Sequence, residues 1–481
     1  MPNLEPKTAI QNAIQGFTHK PLASAALSLL ETLGYKSDKR LALTPNHAPQ
    51  FRANFDTEGK LNSENARLGE WKTVDFLFQL AGDDVQGPLS SQGQLFQNKK
   101  VEQTQIESYL FFAIELSGTH YTRADLSAIT REVNKLFLMP AMLLFKHGET
   151  LTLAIINRRI NKRDSSRDVL EKVTLIKDIR TANPHRAHVE ILYDLSLPQL
   201  AGSHTVTNFV ELQHAWEKTL DTAELNKRFY REVANWYFWA VRSVKFPGTA
   251  ADVDTRNATA IIRLITRLIF VWFIKEKGLV PETLFDEQQL KNILNYTDPE
   301  NSTYYKAILQ NLFFATLNTE MGEERRFRGK NKNPGGLDGH YGISTVYRYE
   351  DYFKNPQTAL QLFAGIPFLN GGLFECLDKR EEKLLIDGFS DDARYQPIVP
   401  DVLFFGAAHA EDLNEIYGDT RHGREQVRGL IHIFNNYKFT IEENTPIEEE
   451  IALDPELLGK VFENLLAAYN PETGTTARKQ T

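Results

Sequence analysis

The densest group of cationic side chains in the sequence lies in one short segment rich in glycine and asparagine. Its basic residues include Arg325, Arg326, Arg328 and Lys330, and Phe327 lies among them. Arginine and lysine bind phosphate oxygens, and such contacts supply much of a protein's affinity for a nucleic-acid backbone. We therefore predict that this loop contacts double-stranded DNA. The alternative is an exposed connector whose charges are simply solvated.

A second cationic segment could bind phosphate in the same way. Arg158 and Arg159 begin a run of basic residues, and a guanidinium fork matches two phosphate oxygens. Acidic residues follow closely and cancel much of this charge: Asp164, Asp168 and Glu171. The segment is therefore either a phosphate contact or a solvated connector.

Thiols and imidazoles do not form a site in this sequence. Cys376 is the single cysteine, which excludes a disulfide framework and a multi-cysteine zinc site. Its apolar neighbours indicate a buried thiol instead of a nucleophile. Four histidines of the second half are scattered without the spacing of metal ligands: His340, His409, His422 and His432. We therefore expect no zinc site.

The composition is that of a globular protein, with 42% hydrophobic and 25% charged residues among 481. This length exceeds one hydrophobic core, so two or three domains are expected. The net charge of −8 differs from that of a basic DNA-binding domain, so a DNA-binding surface must be local. The N-terminus has no signal-peptide pattern, which together with the cysteine usage predicts a cytoplasmic protein.

The elements that position these residues alternate between helix and strand in the first part of the chain. Alternating or continuous apolar residues predict strands, and helical spacing predicts helices. The predicted elements are a helix at Ala23–Leu33, strands at Val74–Leu80 and Tyr109–Leu116, a helix at Arg123–Phe137, and strands at Ala141–Phe145, Leu151–Ile156 and Val189–Tyr193. This order predicts an α/β domain built on a small mixed sheet.

A boundary is predicted near residue 200. Ser196–Asn208 is typical of a linker, and the pattern after it is mostly helical. We therefore place an α/β domain at residues 1–200 and a mostly α-helical connector domain at residues 201–481.

Two helical segments of the second part are rich in apolar residues. The aromatic residues of Asn226–Val244 favour packing in a core over stacking on bases. Ala258–Lys277 approaches the length of a membrane span, but Arg263 and Arg267 interrupt it. We predict a central buried helix there and no membrane contact.

The last thirty residues predict a short amphipathic helix followed by a polar strip, which is unlike the edge of a finished fold. Asp454-Pro455 is typical of a helix start, and Asn470-Pro471 of its end. This segment resembles the one that precedes the catalytic domain in type IIG and related adenine-specific DNA methyltransferases, which are fused restriction–modification enzymes that include phage-defence proteins. Three further stretches carry the same resemblance: ITRLIFVWFIKEKGLVPETLF, IPFLNGGLFECLD, and RRFRGKNKN with YGISTVYRYEDYFKNP.

The resemblance implies the N-terminal region of such an enzyme, ending before its methyltransferase domain. That domain holds S-adenosylmethionine on a glycine-rich loop and carries an Asn/Asp-Pro-Pro-aromatic motif. This sequence has neither, because His185 follows Asn183-Pro184 and Glu472 follows Asn470-Pro471. We therefore expect this chain alone neither to bind the cofactor nor to methylate DNA.

The order of elements in the first domain also resembles the restriction-endonuclease-like core of the PD-(D/E)xK type. That resemblance implies that Asp75 and Glu115 hold Mg²⁺ and activate water, with Glu31 as a third candidate acid. The residue two positions after Glu115 is Ser117 instead of lysine, and Lys146 could substitute only if the fold brings it across. We expect weak or absent cleavage. The alternative is a non-catalytic DNA-binding or assembly module with an inert nuclease fold.

Overall fold

The computed structural model divides the chain into two compact units. Among the described residues, the first unit takes in the chain up to residue 225 together with 436–438 and 448–453, and the second takes in 226–435 with 439–440. The structure describes residues 5–82, 84, 108–137, 139–159, 169–203, 206, 209–248, 253–295, 298–323, 325–328, 343–369, 371–379, 382, 384–417, 420–440 and 448–453.

A mixed β-sheet forms the centre of the first unit. The described strands are β1 (Trp71–Ala81), β2 (Ser108–Leu116), β3 (Ala141–His147), β4 (Thr150–Arg159), β5 (Val169–Arg180), β6 (His409–Glu411), β7 (Glu425–Val427) and β8 (Glu448–Glu450). The sheet has the order β1-β2-β3-β4-β5-β8. The pairs β2/β3 and β5/β8 are parallel, and the other pairs are antiparallel. This mixed sheet with its helices fits the predicted α/β domain.

Helices cover both faces of this sheet. The helices of the first unit are α1 (Pro6–Gln15), α2 (Leu22–Thr32), α3 (Ala48–Phe55), α4 (Arg123–Asn134), α5 (Arg186–Asp194), α6 (Leu197–Ser203) and α7 (Phe209–Thr219). On one face, Phe112 and Ile114 of β2 belong to a core that also contains Phe51 of α3 and Ile129 of α4. On the other face, Phe111 stacks against Tyr35, which follows α2.

The segment predicted as a strand at Val189–Tyr193 is instead part of α5. The buried residues of this helix include Ala187, His188, Ile191 and Leu192, which recur at helical spacing. His185 caps the helix, because its Nδ1 accepts a hydrogen bond from the Ala187 backbone N–H at 3.1 Å. The short apolar run was therefore one face of a helix.

The first unit also extends further than residue 200. Trp216 of α7 donates a hydrogen bond from Nε1 to the Tyr35 hydroxyl at 2.7 Å and packs edge-on against Tyr109. These two contacts attach α7 to the sheet domain. In addition, β8 pairs with residues 173–175 of β5. The helical region is thus inserted between two parts of the α/β unit, and it does not simply follow that unit.

The second unit is mostly helical, as its sequence pattern predicts. Its helices are α8 (Thr222–Ser243), α9 (Val253–Glu276), α10 (Glu287–Ile293), a π-helix (Tyr304–Leu317), α11 (Pro356–Ala364), α12 (Val402–Phe405), α13 (Asn414–Tyr417) and α14 (Leu430–Asn435). Strands β6 and β7 form a short antiparallel hairpin. Trp236 of α8 and Trp272 of α9 are fully buried, which is consistent with the aromatic residues of these helices forming a core.

Helix α9 is long and apolar enough to cross a membrane, but 72% of its most apolar window is buried within the structure. Arg267, near its middle, is itself buried. Its guanidinium pairs with Asp387 at 3.0 Å and donates to the backbone carbonyls of Leu373 and Glu375, both at 2.9 Å. A buried charge is tolerated when it is paired and hydrogen-bonded in this way. Two of the stretches that carry the family resemblance are therefore joined through this one side chain.

Candidate nuclease-like site

Asp75 and Glu115 lie on the same face of the sheet. In the antiparallel pairing of β1 and β2, Thr73 is opposite Glu115 and Asp75 is opposite Ala113. Directly paired residues share a face, and so do alternate residues of one strand. Asp75 and Glu115 are therefore diagonal neighbours on adjacent strands. The Cα atoms of such neighbours lie roughly 7–8 Å apart.

Asp75 is held from one side by a neighbouring loop. The Asn46 side-chain Nδ2 donates to Asp75 Oδ1 at 3.0 Å, and the Val74 backbone N–H donates to the Asn46 carbonyl at 3.0 Å. Asp75 is half-buried, and this burial raises the pKa of its carboxyl group. Asn46 thus positions a carboxylate that is costly to ionise.

Lys146 is brought beside Glu115 by the parallel pairing of β2 and β3. The two residues are direct partners in that pairing, and the distance from Lys146 Nζ to Glu115 Oε1 is 3.8 Å. A lysine on the next strand thus lies on the same face as the acid, although position 117 is serine. This distance is a charge–charge contact and exceeds that of a hydrogen bond.

Lys72, which the strand pattern of the sequence does not single out, reaches Glu115 as well. Its Nζ lies 3.7 Å from Glu115 Oε1. The register of β1 shifts between Trp71 and Thr73, so Lys72 occupies an irregular position that redirects its side chain. Strand alternation alone carries no signal for such a shift.

Glu31 and Ser117 have other contacts. The Glu31 carboxylate pairs with Arg40 at 3.4 Å, and the Ser117 backbone N–H donates to the Glu70 carbonyl at 2.8 Å. Within the described part of the chain, no group of three or more acidic, histidine or cysteine residues could hold a metal ion. Two carboxylates with water still form a donor set that suits Mg²⁺, because this ion is often held by one or two protein carboxylates. The residue types thus suit the ion, and a Mg²⁺ site at Asp75 and Glu115 stays a prediction.

Arg325 of the basic loop is engaged inside the protein. Its guanidinium donates to the carbonyls of Thr316 at 2.8 Å, Thr319 at 2.9 Å, Ile366 at 2.6 Å and Phe363 at 3.3 Å. These carbonyls lie at and just beyond the C-terminal ends of the π-helix and α11, and those of Thr316 and Phe363 also accept a backbone N–H from the turn that follows each helix, at 3.2 Å in both cases. Partial burial lowers the pKa of Arg325. Its observed contacts therefore stabilise the fold.

The other predicted DNA-contacting residues differ in exposure. Arg328 shares Asp391 with Arg348 in close ion pairs, whereas the Arg326 side chain is exposed. Lys330 lies outside the described residues. Arg158 and Arg159 end β4, opposite Leu170 and Val169 of β5, and only their backbone is described. Of the three described arginines of this loop, Arg326 is therefore the one whose side chain is exposed.

A comparison with curated proteins finds similarity to a candidate type II restriction enzyme and methyltransferase of Methanocaldococcus jannaschii. The two sequences are 25% identical over 262 residues, which are 54% of this chain and 16% of the relative. The chain therefore spans only a small part of the relative's length. No family model and no solved structure matches this sequence. The similarity supports a relationship to restriction–modification enzymes, which act on DNA.

Proposed function

We propose that this chain is the nuclease-like and connector region of a restriction–modification enzyme of the type IIG kind, whose methyltransferase is adenine-specific. The observation that carries the proposal is the shared position of Glu115 and Lys146 on one sheet face, with Asp75 on the same face. The relative's name supports double-stranded DNA as the substrate. A role in phage defence and a cytoplasmic location are part of the same proposal.

In this proposal, Asp75 and Glu115 hold Mg²⁺. The ion, when bound, acts as a Lewis acid and lowers the pKa of its water. The chain's own residues position the groups that take part in this chemistry. Asn46 fixes the orientation of Asp75 through its 3.0 Å hydrogen bond. Lys146 orients the attacking water and offsets negative charge at the phosphate. The Ser117 hydroxyl could orient water but carries no charge to offset.

The test is nicking of supercoiled plasmid by the full chain with Mg²⁺ or Mn²⁺. We expect weak cleavage that is lost in both Glu115→Ala and Lys146→Ala. Lys60→Ala is the matched control, because Lys60 is an exposed lysine that pairs with the exposed Glu58. Cleavage that survives Glu115→Ala would remove this site from the proposal.

A second function is favoured by two observations. Glu115 faces two ammonium groups and position 117 is serine, so the site could be an inert remnant in a DNA-binding or assembly module. In that case, the chain would bind duplex DNA in a salt-dependent manner but would not nick it with either metal. DNA binding combined with metal-dependent nicking would exclude this second function.

A further inference from the structure

The second unit contains a cavity that the proposed function does not use. Its volume is about 240 Å³. For comparison, an apolar cavity of about 150 Å³ binds benzene. A molecule somewhat larger than one aromatic ring therefore fits. Most of the lining is apolar, with Leu290, Leu294, Pro299, Val402, Phe405 and Ala407.

Asp401 places a carboxylate in this apolar lining. Its Oδ1 accepts a hydrogen bond from the Tyr304 backbone N–H at 2.9 Å, and the Thr303 backbone N–H donates to the same carboxylate. A carboxylate offers about four acceptor positions, so two donors do not exhaust it. Burial raises the pKa of Asp401 to about 7. The hydrogen bonds to the ionised carboxylate therefore do not offset the cost of burying its charge.

The other charged groups near the cavity do not neutralise this carboxylate. Glu287 and Lys291, which also line the cavity, pair with each other at 2.8 Å. Lys306 donates to the Gln396 side chain at 3.0 Å. From there Lys306 lowers the pKa of Asp401, and Asp298 raises it, but burial remains the largest influence.

We propose that this cavity binds a small organic ammonium ion, with its apolar body between the apolar walls and its ammonium group on the Asp401 carboxylate. An apolar body gains by leaving water. A cation offsets a carboxylate whose ionisation is costly, whereas an anion would be repelled and a neutral hydroxyl would gain less. This proposal does not depend on nuclease or methyltransferase activity.

Binding of such a cation is coupled to the protonation of Asp401. The cation favours the carboxylate over the carboxylic acid, and the population of the carboxylate increases as the pH rises through about 7. The affinity should therefore be higher at pH 8 than at pH 6. A neutral ligand of the same shape should show no such increase.

The test compares 2-phenylethylammonium with 2-phenylethanol by calorimetric titration of the full chain. At pH 8 we expect the ammonium ion to bind about tenfold more tightly or better, as one charge-assisted hydrogen bond would give. The ratio should decrease at pH 6. Equal affinities, or no binding of the ammonium ion at millimolar concentration, would overturn the proposal.

Two variants test the charge of the Asp401 carboxylate and the space in the cavity separately. Asp401→Asn keeps an acceptor for the Tyr304 N–H and removes the charge, so ammonium affinity should fall to that of the alcohol and lose its pH dependence. Ala407→Phe fills the mouth from an exposed position, so both ligands should be lost while the fold persists. Glu323→Gln, an exposed control, should bind like the parent chain. Unchanged ammonium binding in Asp401→Asn or in Ala407→Phe would contradict the assignment.

Discussion

Lys72 and Lys146 approach one carboxylate oxygen from the two strands that flank β2. Lys72 is the more exposed of the two, with 54% of its side chain accessible against 22% for Lys146. With Asp75 and Glu115 ionised, the four groups sum to no net charge. A divalent cation that enters must therefore compete with at least one ammonium group. The more exposed Lys72 can turn into water at lower cost, so we expect Lys146 to be the lysine that stays beside an ion bound there.

Replacing Asp75 should stabilise the protein while removing the proposed activity. Burial raises the pKa of Asp75 in the folded state, so the unfolded chain loses this proton at lower pH. Stability contributed by the protonated form is then lost as the pH rises from the unfolded pKa through the folded one. Asp75→Asn avoids this loss and keeps an acceptor for Asn46.

Thermal unfolding of Asp75→Asn and the parent chain without metal checks this expectation. The variant should melt higher at pH 7, and the difference should disappear at a pH below the unfolded pKa of the carboxyl group. Asn54→Ala, on the exposed side of α3, serves as a control with no pH-dependent difference. A lower melting temperature for Asp75→Asn at pH 7 would contradict the burial argument.

The sequence allowed the acidic residues to be assigned to strands but did not determine their partners. Asp75 and Glu115 stand out because a charged residue in an apolar strand needs an explanation. Lys72 could not be identified, because the irregularity of β1 changes the direction of its side chain without changing the sequence pattern. Asn46 could not be identified either, since a loop hydrogen bond depends on contacts between segments distant in sequence.

At the scale of elements, Arg325 and Arg326 are adjacent arginines with different roles. Arg325 donates to four carbonyls near two helix ends, and two of these, those of Thr316 and Phe363, also accept a backbone N–H. Arg325→Ala removes the guanidinium donor from the other two carbonyls, so it should destabilise the fold by about 1–3 kcal/mol. Arg326→Ala is the matched control, because its side chain is exposed and surface changes usually stay within about 0.5 kcal/mol.

Urea denaturation measures the loss of stability in Arg325→Ala. The salt dependence of duplex DNA binding measures whether Arg326 contacts phosphate. Arg326→Ala should reduce the slope of log affinity against log salt by about one unit per lost phosphate contact. An unchanged slope would leave this loop as a connector. Equal stability of Arg325→Ala and the parent chain would show that water satisfies the carbonyls.

The elements with long, regular patterns were predictable, and those defined by distant contacts were not. Strands β2 and β3 follow from continuous apolar runs, and α9 from its length. Helix α5 was not predicted as a helix, because a short apolar run fits both structures. Strand β8 was missed, because the three acidic residues Glu448–Glu450 have no strand-like pattern and pair with β5 from far along the chain.

At the scale of the whole molecule, this chain should not bind the cofactor of a methyltransferase. The sequence lacks a glycine-rich loop followed by a helix that could hold S-adenosylmethionine. Calorimetric titration with S-adenosylmethionine should therefore show no heat, and the melting temperature should not change. Binding at micromolar concentration would mean that a cofactor site lies within these residues.

The position of β8 has a consequence for synthesis on the ribosome. β5 ends at Arg180 and its partner begins at Glu448, so about 270 residues are translated in between, which takes roughly 15–50 s at ordinary rates. During that interval the β5 edge has no β8 beside it, and an unpaired edge is a template for aggregation. Newly made chains should therefore depend on chaperones until translation passes β8, and nascent chains stalled before residue 448 should aggregate more readily than those stalled after it.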